Sequence, residues 1–266
     1  MSAVGDRRGD PREEQRNRID RVFGRPRPAL ICYLPLGDPE APAARPGRYA
    51  ECGVDILEVG VPAAQPFLDG PTIAASLWRA AAAGVTPTSA ADRIASFRAE
   101  LPHQALVWMS YPHGDGRLLA SHVSRSGADG LLLPRQARRF GDVAATLERR
   151  GVHLIHFLPH DPRLRDIAAA ARAGRGYVML QAAPGVTGSR RGALSDSASA
   201  IEFLRRAGVT TPIVLGVGLS TAEHVRAAVT MGADGVVVGS ATVEAAMRGE
   251  RALTSFLRSL REALDG

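Results

Sequence analysis

The chain has 266 residues, 45% hydrophobic and 23% charged, enough apolar material to build a full core without disulfide or metal staples. Its net charge of +6 is carried by arginine alone, and the absence of lysine excludes Schiff-base catalysis. The arginines are spread along the chain and interleaved with acids. Even the densest cluster, Arg7 to Arg27, holds Asp10, Glu13, Glu14 and Asp20, which argues against nucleic acid as a partner.

Residues 1 to about 13 are polar and rich in Gly, Arg and Asp, the composition of a disordered tail. A short helix is expected over Glu14–Phe23. Then a rhythm begins. Short apolar runs appear at Ala29–Leu36, Ile56–Gly60, Ala105–Met109, Gly130–Leu133, His153–Leu158, Tyr177–Leu180, Pro212–Leu215 and Gly235–Val238. Helical patterns separate them: Ala41–Glu51, Pro71–Ala83 with Ala90–Glu100, Arg117–Arg125, Ala137–Arg150, Leu164–Ala173, Ser197–Ala207, Thr221–Met231, and Ala241–Leu264 with a break near Gly249. Gly53, Gly127, Gly151, Gly208 and Gly232 each close a helix and open a strand, where a left-handed conformation suits glycine.

Strands that are apolar on both faces and alternate with helices make a parallel sheet. Eight such units predict an α/β fold, a closed (β/α)8 TIM barrel formed by residues 14–266 as a single domain. The rival, an open doubly wound sheet, usually carries a Gly-rich dinucleotide turn after its first strand. Leu36-Gly37-Asp38-Pro39 stands there instead. Cys32 and Cys52 are expected as buried free thiols. No signal peptide and no apolar run long enough to span a bilayer is apparent, so no membrane association and a cytoplasmic location are expected.

In a barrel, function sits at the C-terminal ends of the strands. That face receives Gly37-Asp38-Pro39, Glu58, Ser110-Tyr111, Pro134-Arg135, Pro159-His160, the loop from Gln181 to Arg191, Gly216-Val217-Gly218 and Gly239-Ser240. Glycines after strands seven and eight, each before a helix N-terminus, suit a phosphate. As a bare structural motif they are two tight turns with Ser220 as a helix cap. Glu58 ends strand two. It could be a salt-bridged acid at the barrel mouth, or a desolvated carboxyl able to give and take a proton. Asp69 precedes Gly70-Pro71-Thr72 and could equally cap a helix. The Gly-rich loop after strand six has the length of a mobile lid. His156 and His160 lie on a strand and its exit loop with no companion ligands, so no metal is expected.

The run Glu58-Val-Gly-Val-Pro62, then Pro66-Phe-Leu-Asp69-Gly-Pro-Thr-Ile, resembles the E-L-G-x-P-x-S-D-P-x-A-D-G-P-x-I signature of the tryptophan synthase alpha subunit. Leu36-Gly-Asp-Pro39, Arg79 to Thr86, Gly176-Tyr177, Gly185-Val-Thr187-Gly188, Arg191-Gly192, Gly216-Val-Gly218-Leu-Ser and Gly239-Ser240-Ala follow in family order, from about Arg18 to the C-terminus. The resemblance implies a cofactor-free lyase that cleaves indole-3-glycerol phosphate to indole and glyceraldehyde 3-phosphate. It implies Glu58 as the acid/base at indole C3 and the side-chain hydroxyl, and Asp69 as the partner of the indole N–H. Tyr33, Tyr111, Tyr177 and Thr187 would bind substrate, with Thr187 closing onto Asp69. Gly188, Gly218, Gly239 and Ser240 would hold the phosphate.

Several positions depart from the family pattern. Ala63-Ala64-Gln65 stands for Phe-Ser-Asp, and Met179 for an aromatic residue. Ala182-Ala183 stands for Ser-Arg, Arg135 for Asp and His113 for Asn. In the family these loops face a pyridoxal-phosphate beta subunit. Two settings therefore stay open: a tryptophan synthase alpha subunit, and a stand-alone lyase releasing free indole. A diverged lyase or isomerase for another phosphorylated substrate, and a non-catalytic regulatory subunit, are the remaining alternatives.

Overall fold

The computed structural model describes residues 17–63, 66, 69–111, 115–133, 141–173, 175–182 and 197–266. Their strands form one closed parallel barrel in sequence order. They are β1 (Ala29–Pro35), β2 (Ile56–Gly60), β3 (Ala105–Met109), β4 (Gly130–Leu132), β5 (His153–Leu158), β6 (Val178–Gln181), β7 (Ile213–Gly216) and β8 (Gly235–Val238). β8 pairs back onto β1 through Ala29↔Gly235 to Cys32↔Val238, which closes the cylinder and leaves no sheet edge.

Helices clothe the outside: α1 (Arg18–Phe23), α2 (Pro46–Glu51), α3 (Pro71–Ala82), α4 (Pro87–Glu100), α5 (Gly116–Ser126), α6 (Gly141–Glu148), α7 (Leu164–Ala173), α8 (Ser197–Arg206), α9 (Ala222–Thr230), α10 (Ser240–Met247) and α11 (Glu250–Asp265). The expected barrel is thus present, with most boundaries within a residue or two. Helix α4 starts three residues early, at Pro87, and α2 differs most, starting at Pro46 rather than Ala41. Pro42 and Pro46 disfavour the helical conformation in the residues before them, and Arg45 is extended, so residues 38–45 turn instead. Residues 1–13 of the expected tail, and the first residues of the helices expected from Glu14 and Ala137, lie outside the described residues. The five joint glycines all have positive φ, as their place between helix and strand requires.

Two apolar layers follow from the strand period of two. Leu30, Cys32 and Leu34 of β1 and Leu57 and Val59 of β2 face the helices. Ile31, Tyr33, Ile56, Val107, Ile155 and Val214 face the barrel axis. Cys32 and Cys52 are buried free thiols.

The N-terminal end of the cylinder is plugged by α1. Asn17 caps this helix through its side chain and ties it to the carbonyls of Asp129 and Gly151. Ile19 is fully buried over Gly130, where a Cβ would lie only 2.9 Å from its Cδ1. Phe23 packs on Tyr177 from below, with ring centroids 5.7 Å apart.

Candidate active site

The alternation that puts Ile56 on the barrel axis puts Glu58 there too, one step nearer the C-terminal mouth. Glu58 is 3% exposed and lines a cavity of about 560 Å³, its open mouth included, at that end of the barrel. Asp69 enters the same cavity from the segment between β2 and α3. It does not cap α3: Gly70 is the N-cap, no side chain caps the helix, and Pro71 opens it. The cap interpretation of Asp69 therefore fails, because its carboxylate points inward.

Neither carboxylate has an arginine partner among the described residues. Glu58 Oε1 accepts the Tyr177 hydroxyl at 3.4 Å. Burial pushes the Glu58 carboxyl up to about 8, the nearby Asp69 charge adds to this, and the Tyr177 hydrogen bond opposes it. Burial likewise pushes Asp69 up to about 7, against a hydrogen bond from Tyr111. Near pH 7 the pair therefore holds a proton, and Glu58 is the member that keeps it longer.

The cavity wall gathers Tyr33 and Tyr111, while Tyr177 donates to Glu58 and is not among the lining residues. Gln181 and Val217, placed at this face by the sequence, also line it, together with Met109, Leu132, Phe157 and Val237, which the sequence did not single out. Each comes from a strand end or exit. Because these strands are apolar on both faces, composition alone did not mark which parity points inward. Gln181, read as loop, is the last residue of β6, and its side-chain oxygen accepts the His160 N–H.

Two of the inward glycines lie at the mouth ends of their strands, and each admits a long side chain from the neighbouring strand. A Cβ on Gly60 would lie 1.8 Å from the Tyr33 hydroxyl, and one on Gly216 would lie 2.6 Å from Met179 Cε. The cavity wall is therefore shaped by β1 and β6 side chains leaning over β2 and β7.

At the mouth, β7 and β8 lie side by side. Val217 and Gly218 both have positive φ, 66° and 93°, a strained conformation for a β-branched residue that turns the loop sharply. Thr221, not Ser220, caps α9 through its side chain. The difference is one of geometry: Ser220 instead meets His224 Nδ1. Helix α10, by contrast, begins at Ser240 with Gly239 as N-cap and no side-chain cap. Ser240 is buried, and its Oγ lacks a partner among the described residues. Gly239 lines the cavity. Thus the uncapped helix end lies on the cavity side of loop eight, and loop seven supplies the turn beside it. Thr187, Gly188, the expected lid from Ala183, and the departures at Ala64, Gln65, His113, Arg135 and Ala183 lie outside the described residues.

Asp38, also placed at the mouth by the sequence, has a structural partner. Arg79 grips both its oxygens, at 2.8 and 2.6 Å. Burial would raise this carboxyl; the Arg79 hydrogen bond, with Ser76 and the Glu40 N–H, outweighs it and leaves the group below its ordinary value. Asp38 thereby ties the β1 exit to α3, the helix that follows Asp69.

Among the described residues no helix is long and apolar enough to cross a membrane, and no group of three or more His, Cys, Asp or Glu gathers as a metal site would.

Comparison with known proteins agrees with this architecture. The family model described as tryptophan synthase alpha chain matches residues 20–263. The tryptophan synthase alpha chain of Geobacter sulfurreducens is 37% identical over 255 residues, covering 90% of this chain and 94% of the relative. That of Synechococcus elongatus is 33% identical, covering 89% and 91%. Among known structures, Mycobacterium tuberculosis tryptophan synthase superposes with a TM-score of 0.79 at 29% identity, over 93% of this chain and 96% of the other. A barrel, two carboxylates in its mouth without an arginine partner among the described residues and a match over nearly the whole length coincide, and the chain belongs to the tryptophan synthase alpha chain family.

Proposed function

We propose that this protein cleaves indole-3-glycerol phosphate to indole and glyceraldehyde 3-phosphate by acid/base chemistry shared between Glu58 and Asp69. The observation that carries the reading is the pair itself: two carboxylates in one apolar cavity, without arginine partners among the described residues, both pushed up toward neutral pH by burial.

A retro-aldol cleavage needs somewhere to put the electron pair of the breaking carbon–carbon bond. With no lysine in the chain, no imine can take it. The indole ring supplies the sink. Protonated Glu58 gives its proton to ring C3, which leaves a cationic ring. The bond from C3 to the side-chain carbon then breaks and its pair returns to the ring. The side-chain hydroxyl loses its proton to the Glu58 carboxylate, and its carbon becomes the aldehyde. Glu58 ends protonated, as it began. Ionised Asp69 accepts the ring N–H, whose acidity rises as the cation forms. The order of the two groups suits these roles, since Asp69 ionises before Glu58. Tyr177 orients the Glu58 carboxyl, and the wall of Met109, Leu132, Phe157 and Met179 suits a flat apolar ring.

The phosphate would sit at the mouth, on the uncapped start of α10, with Gly239, the Ser240 hydroxyl, Gly218 and, from outside the described residues, Gly188 as donors. Thr187 would come down with its loop onto Asp69. A pyridoxal-phosphate beta subunit is the natural acceptor of the released indole; release of free indole by the chain alone is the other setting.

Assay of indole release from indole-3-glycerol phosphate tests both. Turnover by the purified chain alone supports the stand-alone setting. Turnover that rises only when a tryptophan synthase beta subunit is added supports the subunit setting. No indole under either condition overturns the proposal.

A further inference from the structure

The wall between Glu58 and Asp69 carries a hydroxyl that no described protein group satisfies. Tyr33 is 1% exposed, and its Oη has no hydrogen-bond partner among the described residues. Native proteins seldom leave a buried hydroxyl so, since its desolvation is then uncompensated.

The seat of this hydroxyl gives it a direction. Pairing sets Tyr33 beside Glu58 and Pro35 beside Gly60. The Tyr33 ring leans across so that its Oη fills the place of a side chain at Gly60, 1.8 Å from where a Cβ would be. Residues 58 and 60 share the inward face of β2, roughly 7 Å apart along the strand. The hydroxyl thus stands one step above the Glu58 carboxylate, toward the segment that carries Asp69. Asp69 Oδ2 is itself buried without a partner among the described residues. A phenol can donate, and an ionised carboxylate can only accept. Both atoms belong to residues that line the same cavity. Burial drives the Tyr33 phenol well up, and among the charges that add to this effect Asp69 is the largest, ahead of Tyr111 and Glu58.

We propose that Tyr33 is a positioning residue: its hydroxyl donates a hydrogen bond to the Asp69 carboxylate, directly or across one water, and holds it facing the cavity. Gly60 is the second half of the device, because any side chain there expels the hydroxyl. Among the described residues, the groups that face Asp69 are then Tyr33 from β1, Glu58 from β2 and Tyr111 at the exit of β3. Tyr177 is engaged with Glu58, and Asp38 with Arg79. The bond favours the anionic form of Asp69, which is the form the proposed cleavage uses. The inference rests on that reading for its purpose, not for its test.

The test is carbon-13 carboxyl NMR titration of Asp69 in the intact chain, in the parent and in Tyr33→Phe. Phenylalanine keeps the ring and removes only the oxygen. The Asp69 midpoint is expected to rise by about one pH unit in the variant, while its melting temperature stays near that of the parent at acid pH, where Asp69 is protonated, and falls below it as Asp69 ionises. In turnover, kcat should fall roughly 3- to 10-fold near neutral pH with KM little changed, and the acid limb of the profile should move up with the midpoint. In the parent itself, the Tyr33 Cζ resonance should shift through the Asp69 titration. Equal Asp69 midpoints in the two proteins, or a Tyr33 resonance that stays flat through that titration, overturn the proposal. Neither measurement needs turnover, so each stands whether or not the chain cleaves the indole substrate.

Discussion

Asp55, just before β2, and Glu58, in the middle of it rather than at its end, meet opposite fates. At the N-terminal rim, Asp55 accepts the Leu30 N–H and is gripped by Arg25, Arg27 and Arg261. The same device recurs around that rim. Asp129 accepts the Leu106 N–H and pairs with Arg18 and Arg98. Asp234 accepts the Ile213 N–H and pairs with Arg205. Each of these acids opens a strand and staples it to the strand before. At the C-terminal mouth, Glu58 and Asp69 meet tyrosines instead. An acid matched by arginine keeps its charge and fixes geometry. An acid buried without a cation is pushed toward holding its proton at neutral pH, which is what proton transfer needs. Among the described residues, arginines pair all three rim acids and, at the mouth, Asp38, but neither Glu58 nor Asp69.

The largest effects separate the two ends. Replacing Glu58 with Gln should lower the rate of indole release by about 10²–10⁴-fold, the usual worth of a general acid/base. Chemical denaturation of the same variant should show stability unchanged or raised, because a costly buried carboxyl becomes a neutral amide. Asp55→Ala should do the reverse. It takes the buried carboxylate from Arg261, whose side chain is 8% exposed and is left with Asp265 and the Pro28 carbonyl, and it leaves the Leu30 N–H without its acceptor; the cost in denaturant unfolding should be about 3 kcal/mol. Folded Asp55→Ala should keep its KM. If instead it loses activity while keeping its stability, the division between the two ends is wrong.

This division was only half legible in the chain itself. The strands were, because runs apolar on both faces, punctuated by Gly-x-Asp or Gly-x-His joints, can hardly be anything but a parallel sheet. Glu58 and Asp69 were found as acids at the mouth. The partners of the rim acids were not: with 33 arginines spread throughout, nothing local says that Arg261 reaches Asp55 from the far end of the sequence. Nor did Gly60 announce that it makes room for Tyr33, since that contact is between strands and each residue alone looks ordinary. Asp38 looked like a mouth residue and proved to be a clamp, because its fate depended on Arg79 one helix away. Local pattern reports elements; the pairing of charges is tertiary and leaves little trace in spacing.

The pH dependence of stability sharpens the contrast. Folding raises Glu58 from its ordinary 4.5 to about 8 and Asp69 from 3.8 to about 7. Between those limits the folded chain holds protons that the unfolded chain has released. The contribution of the pair is therefore full below about pH 4 and is lost as pH climbs through about 8. Relative to the Glu58→Gln, Asp69→Asn double variant, the parent should lose roughly 5–6 kcal/mol between pH 5 and 8. Unfolding curves at the two pH values read this directly. A parent and double variant with parallel pH profiles would mean that the carboxylates are not desolvated in the fold.

The smallest effect grades the rim itself. Asp234 is the most exposed of its three acids, with a side chain 41% accessible beside an Arg205 at 34%, against 3% for Asp55. Water and salt screen such a pair, so its charge should be worth about 1 kcal/mol or less. Asp234→Asn removes the charge and keeps an oxygen for the Ile213 N–H, isolating the ion pair from the backbone bond. The loss in stability should be about 0.5–1 kcal/mol at low salt and should largely vanish near 1 M salt, where charges are screened within about 3 Å. Asp55→Ala should keep most of its cost under the same salt, because its partner Arg261 is buried with it. A salt-insensitive loss at Asp234 as large as that at Asp55 would mean that the backbone staple, rather than the matched charge, carries the rim, and the contrast with Glu58 would then rest on hydrogen bonding instead of on arginine.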